Sequence, residues 1–333
     1  MLRRHAVSWG PRLAAPVLAV AALAMAALLA GPASGRAIDA CGSATGATVA
    51  AVDSTVVDDI YANELSGSEV SSDLAHVTDD GDLISAVVAG SRAATLRAVQ
   101  KIVYHHGWHI VRLRVFGGAG RVLADVGGPY VIAPVSGALR APGGGAVGSF
   151  LMSVQDDIGV TKLETGIVGD PIGIYVKGKL VAASDGWLPA TPPSGPTVAL
   201  KHARYLAVSE TYDAFPTGTL QAVLLLALPA AALRATPCAT VRVDEFGRIA
   251  QRLVVLLGPQ DLHGYAFWIR VYTGADVFVR DPSGLQLTSS PVPDVGPTVL
   301  PASGTVSYDN ATWLVFSFQV SPGDLLYMLI APG

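Results

Sequence analysis

Charge is scarce in this sequence and nearly balanced where it occurs. Lys, Arg, Asp and Glu make up 14% of the 333 residues and the net charge is −4. No basic face is available to attract nucleic acid by releasing counterions, so that partner is excluded. Cysteine is scarcer still, with only Cys41 and Cys238. Catalytic signatures are also missing: there is no Gly-x-Ser-x-Gly, Ser-x-x-Lys or His-Glu-x-x-His. Gly117, Gly118 and Gly120 lack the following helix that a phosphate-binding loop needs. These absences argue against an enzyme and imply no cofactor.

The first residues have a clear pattern. Arg3, Arg4 and Arg12 precede an uncharged run over 13–30, built mostly of Ala, Leu and Val, and small residues follow at Gly31, Ala33, Ser34 and Gly35. This is the pattern of a secretory signal over 1–35, with the mature chain starting between Ala33 and Cys41. A retained signal anchor is the alternative, since the run sits at the lower edge of membrane-spanning length. Lipidation fits badly because Asp39 stands in the tetrad before Cys41. The expectation is a secreted, extracytoplasmic protein with no stable span once the signal is removed. In such a compartment the default is a Cys41–Cys238 disulfide closing a loop of nearly 200 residues. Two unpaired buried thiols are the alternative.

The remaining chain carries many of the 36 Gly and 22 Pro between short apolar runs, a sign of numerous turns and strands. Val52, Val56 and Ile60 predict a helix over 48–65, and Leu83, Val87, Leu96, Val99 and Ile102 a second over 82–104 capped by Asp82. A third is expected over 240–257. The cluster Asp79, Asp80 and Asp82 reads as turn and cap, because it lacks calcium-loop spacing. Residues 110–116 alternate and turn through glycines into 121–126, a hairpin, and a further strand is expected over 146–154. Residues 155–159 read as a turn into another strand through Val160 and Leu163. Helices packed on an antiparallel sheet make the fold class α+β.

Comparison of the chain with itself at a shift of about 108 residues matches Lys162–Gly166 with Arg270–Gly274 and Ile174–Lys177 with Val277–Arg280. It also matches Leu188-Pro189-Ala190 with Leu300-Pro301-Ala302, and Tyr205-Leu206 with Trp313-Leu314. The expectation is a duplicated strand-rich unit over 160–227 and 267–331. The domain reading is 1–35 signal, 41–235 larger α+β module, and 236–333 smaller helix-plus-β module repeating part of the first.

The long N-terminal helix, the hairpin His109–Phe116 with Gly120–Asp125, and the segment Gly145–Phe150 resemble an extracytoplasmic Cache (PAS-like) sensor domain over residues 43–180. The resemblance implies N-terminal helices on an antiparallel PAS-like sheet and a small-molecule ligand held between that sheet and a loop over 127–145. The chain departs from the family pattern by showing no second membrane span and no following signalling module. It names no protein partner.

Candidate contacts follow from strand alternation. Arg112 and Arg114 fall on one face of a strand, where two guanidinium forks could clamp an anionic ligand. Tyr130 on the covering loop and Ser149, Leu151 and Ser153 on the floor strand complete the expected site. Salt bridges from the arginines to Asp125, Asp156 or Asp157 are the structural alternative. His105, His106 and His109 are weak metal candidates, since the helix that would align them ends near Gly107. Tyr265, Phe267, Trp268, Trp313 and Phe318 read as β-core or a carbohydrate-stacking face. The functional expectation is a secreted, non-enzymatic, sensor-like protein. A secreted hydrolase without a recognisable motif and a structural cell-surface protein are the alternatives.

Overall fold

The computed structural model describes residues 41–216, 218–227, 236–258, 261–290 and 299–331. The signal segment expected over 1–35 lies outside the described residues. Over those residues the chain is α+β, with α-helices packed on antiparallel sheets.

A 3-10 turn, Gly42–Ala44, leads into helix α1, Thr45–Ser66. Val52, Val56, Val57 and Ile60 form its buried stripe, which also carries Asp53 and Glu64. Helix α2, Ser68–Asp79, follows with Val70 and Val77 buried; the sequence reading left this segment unassigned. The single helix expected over 82–104 is two, α3 Gly81–Val88 and α4 Arg92–Val103. The break comes at Gly90, whose φ of 61° an L side chain adopts only at a cost. Ser91 then caps α4 and Asp80, not Asp82, caps α3 through the Leu83 N–H at 2.7 Å.

The first sheet has the order β2-β1-β5-β4 and uses β1 Arg112–Gly117, β2 Val122–Gly127, β4 Val135–Arg140 and β5 Ala146–Ser153. Leu113, Val115, Phe150 and Met152 alternate onto one face and meet Leu83, Val99 and Ile102 of the helices. Strand β3, Val131–Ile132, leaves this sheet for the second, where it pairs with β10, Ala203–Phe215, and with β6, Gln155–Asp156.

The predicted strand through Val160 and Leu163 is helix α5, Asp157–Val168, capped by the Asp156 carboxylate on the Gly159 N–H and closed by Gly169 at φ 88°. After it come β7 Ile172–Val176, β8 Lys179–Ala183, β9 Thr197–Leu200, β10 and β11 Gly218–Ala227. They pair in the order β8-β7-β11-β10-β9. Helix α6, Cys238–Leu257, precedes α7, Leu262–Thr273, which Gly274 closes at φ 65°. The third sheet then holds β12 Asp276–Arg280, β13 Gln286–Ser290, β14 Ser303–Tyr308, β15 Ala311–Ser321 and β16 Asp324–Ile330, ordered β13-β12-β16-β15-β14.

Segments 157–227 and 262–330 therefore run through the same element order and the same strand order. In both, one sheet face packs on helices and Leu188 or Leu300 packs on the other. The helix ends align Gly169 with Gly274, which displaces the sequence match of Gly166 with Gly274 by three residues. The main core lies between the second and third sheets and is filled by α1, α5, α6 and α7. Ile174, Ala222 and Leu224 line it from one sheet and Val277, Leu326 and Met328 from the other. This core takes residues from both sides of position 235, itself outside the described residues. A disulfide joins Cys41 to Cys238, with Cα atoms 4.6 Å apart.

Candidate functional site

The strand register opposes Arg112 to Ser153, Arg114 to Leu151 and Phe116 to Ser149, so the expected site residues of β1 and β5 share a face. The structure commits both guanidinium groups internally. Arg112 donates to both Asp125 carboxylate oxygens at 2.9 and 2.8 Å, and Arg114 donates twice to Oδ2 at 2.9 and 2.6 Å. Arg112 also reaches the Gly128 carbonyl at 2.5 Å, and both groups lie over the Phe215 ring, 5.2 and 5.6 Å from its centroid. Burial acts to raise the Asp125 carboxyl, but the hydrogen bonds and charges of the two arginines hold it below its ordinary value.

Ser153 is buried, with its hydroxyl tied to the backbone of Ile132 and Gln155, while Ser149 is exposed and Leu151 and Tyr130 are half-buried. The expected covering loop over 127–145 holds β3 and β4, so it is largely a piece of two sheets. The arginine face therefore joins the β1–β2 hairpin to Phe215 of the second sheet. Asp125→Ala leaves two half-buried guanidinium groups without their carboxylate and is expected to cost about 3 kcal/mol. Urea unfolding measures it; a wild-type midpoint would show the network to be dispensable.

The three histidines part company. His105 stacks on Trp108 at 4.0 Å, and Trp108 also stacks with His76 of α2 at 4.2 Å. His109 pairs through Nδ1 with Glu69 and donates its backbone N–H to Asp73, while His106 is exposed. Among the described residues no group of three or more His, Cys, Asp or Glu is placed to hold a metal.

A cleft of about 640 Å³ opens where α1 ends, and it brings together residues from five stretches of chain. Its aromatic and apolar lining includes Trp108, Trp268, Tyr272, Leu163 and Leu256. Its polar groups are Asn63, Glu64, Glu69, His109, Gln155 and Lys162. Trp268 and Tyr272 lie on α7, with rings stacked 5.6 Å apart; the segment read as β-core or a stacking face is this helix. Glu64 is 7% exposed. Burial alone pushes its carboxyl up to about 7. Tyr272 is pushed up to about 12 by burial and by the nearby Glu64.

Sequence reasoning missed this cleft because no local motif unites its residues. One signal was present: Glu64 follows Ile60 by four residues on the apolar stripe of α1, where a charge is out of place.

Asp53 and Glu164 are buried away from the cleft. Asp53 is 1% exposed, with Arg248 at 3.7 Å, and Arg248 also pairs with Glu245 and reaches Asp170 at 3.8 Å. Burial first, then the charges of Glu245 and Asp170, raise Asp53 to about 9. Glu164 is fully buried with the Tyr212 hydroxyl donating to it at 3.5 Å, and burial raises it to about 8.

No family model matches the chain, and no curated protein does. Solved structures similar to it include the following three. The periplasmic domain of Vibrio cholerae LuxQ has 7% identity and a TM-score of 0.34, covering 55% of this chain and 98% of that one. An extracellular ligand-binding receptor from Desulfohalobium retbaense has 10% identity and a TM-score of 0.16, covering 79% and 39%. The sensory domain of the Campylobacter jejuni chemoreceptor Tlp3, with isoleucine bound, has 10% identity and a TM-score of 0.16, covering 86% and 91%. Among the described residues no helix is long and apolar enough to cross a membrane.

Proposed function

We propose that this chain is a secreted, non-enzymatic, sensor-like module that binds a small molecule in the cleft at the end of α1. The observation that carries the reading is the convergence of three large aromatic rings with the largely buried Glu64 side chain in one cleft of ligand size. An anionic ligand on Arg112 and Arg114 is the weaker reading, because their donors already serve Asp125 and Gly128. The scaffold reading is a repeated unit: the coincident strand orders of the second and third sheets, each following a helix closed by a left-handed glycine, support descent from one duplicated segment.

Leu256 lines the cleft from an exposed position, so Leu256→Trp fills it without disturbing the core. In a thermal-shift screen of metabolites, wild type gains several degrees with at least one compound, and L256W loses that gain. Equal shifts in both proteins would place binding elsewhere, and a panel without any shift would leave the structural cell-surface role in front.

A further inference from the structure

We infer that the cleft takes an organic ammonium ion, with Glu64 as its counter-ion and the rings of Trp268 and Tyr272 beside its apolar body; Trp108 also lines the cleft but stacks on His76 and His105. This deepens the binding reading above and rests on it. The chemistry starts from where Glu64 stands. It lies in the last turn of α1, where the negative end of the helix dipole opposes a carboxylate, and that turn holds no basic residue. It is more than nine-tenths buried, while His109 pairs with Glu69 instead and Lys162 is exposed. Burial and the helix end both disfavour its negative charge, and a cation in the cleft would offset both.

A ligand cation fits the rest of the lining. Indole and phenol faces attract an ammonium through their quadrupoles, most strongly where water is excluded. Leu163 and Leu256 offer apolar surface to the remainder of the molecule. A carboxylate ligand would meet Glu64 in the same cleft and is disfavoured by like charge. The other titratable groups facing the cleft are Glu69 of α2, His109 before β1, Lys162 of α5 and Tyr272 of α7; α6 contributes leucines.

Binding an ammonium requires Glu64 to be ionised, so below its titration point the protein releases a proton to solvent as the ligand enters. With the carboxyl at about 7, roughly one molecule in ten is ionised at pH 6, and ammonium affinity is expected to be about tenfold weaker there than at pH 8.

Isothermal titration with 2-phenylethylammonium chloride, 2-phenylethanol and 3-phenylpropanoate tests this in wild type, Glu64→Gln and L256W, at both pH values and in buffers of different ionisation heat. The ammonium should bind at least tenfold tighter than the alcohol, with buffer-dependent heat at pH 6. E64Q should lose at least tenfold for the ammonium, keep the alcohol, and show no pH dependence although His109 is still present. Ammonium binding unchanged by E64Q, propanoate binding as tight as the ammonium, or no ammonium binding would each overturn the assignment. If the alcohol or propanoate binds and L256W abolishes it, the cleft stands and only the ammonium class falls. If any binding survives L256W, the cleft itself falls.

Discussion

Replacing Cys41 and Cys238 together with serine is expected to lower stability by about 5 kcal/mol, the largest single effect of any change considered. The bond spans 197 residues, and by the chain-entropy argument a loop that long restricts the unfolded ensemble strongly. The native side of the balance is favourable too. The Cys41 N–H donates to the Thr236 carbonyl at 2.8 Å, and the Thr48 hydroxyl lies 3.3 and 3.5 Å from the two sulfurs. The bond thereby joins the start of α1 to the start of α6, two helices that share the main core. Without it the first turn of α1 loses its attachment. For a chain of this size the melting temperature should fall by about 10 °C or more. Thermal scans of wild type with and without reductant, beside the double serine variant, measure this. Coincident curves would mean that the core alone fixes the two helices.

Raising the pH from 5 to 9 is expected to destabilise the fold, against the usual behaviour of acidic proteins. Unfolded carboxyls titrate near ~4, whereas burial raises Asp170 to about 6, Glu64 to about 7, Glu164 to about 8 and Asp53 to about 9. Between those limits the native chain holds more protons than the unfolded one. Their contribution is complete below the unfolded values and is lost progressively as pH rises through 6 to 9. Glu164 alone, fully buried and answered by a long Tyr212 bond, accounts for a loss on the order of 4 kcal/mol. Asp125 acts in the opposite sense, since its lowered value makes its contribution fall away in strong acid. Maximum stability should therefore lie in mild acid. Urea unfolding at pH 5, 7 and 9 should show a falling midpoint, and Glu164→Gln, which keeps a hydrogen-bond acceptor for Tyr212, should flatten the fall. A midpoint that rises toward pH 9, or an unchanged slope in E164Q, would contradict the buried-acid account.

Elements with strong local patterns were readable in the sequence. The stripe Val52, Val56, Ile60 marks α1, the alternation around Leu113 and Val115 marks β1, and a lone pair of cysteines leaves one partner each. Reading failed where tertiary context overrules a local pattern. Val160, Leu163 and Ile167 have helical spacing, but Thr161, Thr165 and two glycines dilute it, so the local pattern predicts a strand where α5 forms. Tyr265, Phe267 and Trp268 carry a strand-like composition, yet the caps Asp261 and Gly274 make the segment a helix. Pro129 and Pro134 suggested a loop, while two residues between them cross to another sheet. The shared face of the arginine pair is legible and Asp125 is one of three carboxylates offered as its partner; the register of the neighbouring strand decides among them. The cleft was the least legible, because it exists only where α1, α5 and α7 meet the segment before β1.

Tryptophan emission reports on that cleft most directly. Trp108 and Trp268 line it, whereas Trp187 and Trp313 pack on the outer faces of the second and third sheets. Titration of 2-phenylethylammonium into two variants, one retaining only Trp268 and the other only Trp313, with the remaining tryptophans replaced by phenylalanine, separates the two locations. The account predicts a saturable change in Trp268 emission, none in Trp313, and loss of the Trp268 response in L256W. A saturable response confined to Trp313, or silence from Trp268 while calorimetry records binding, would contradict it.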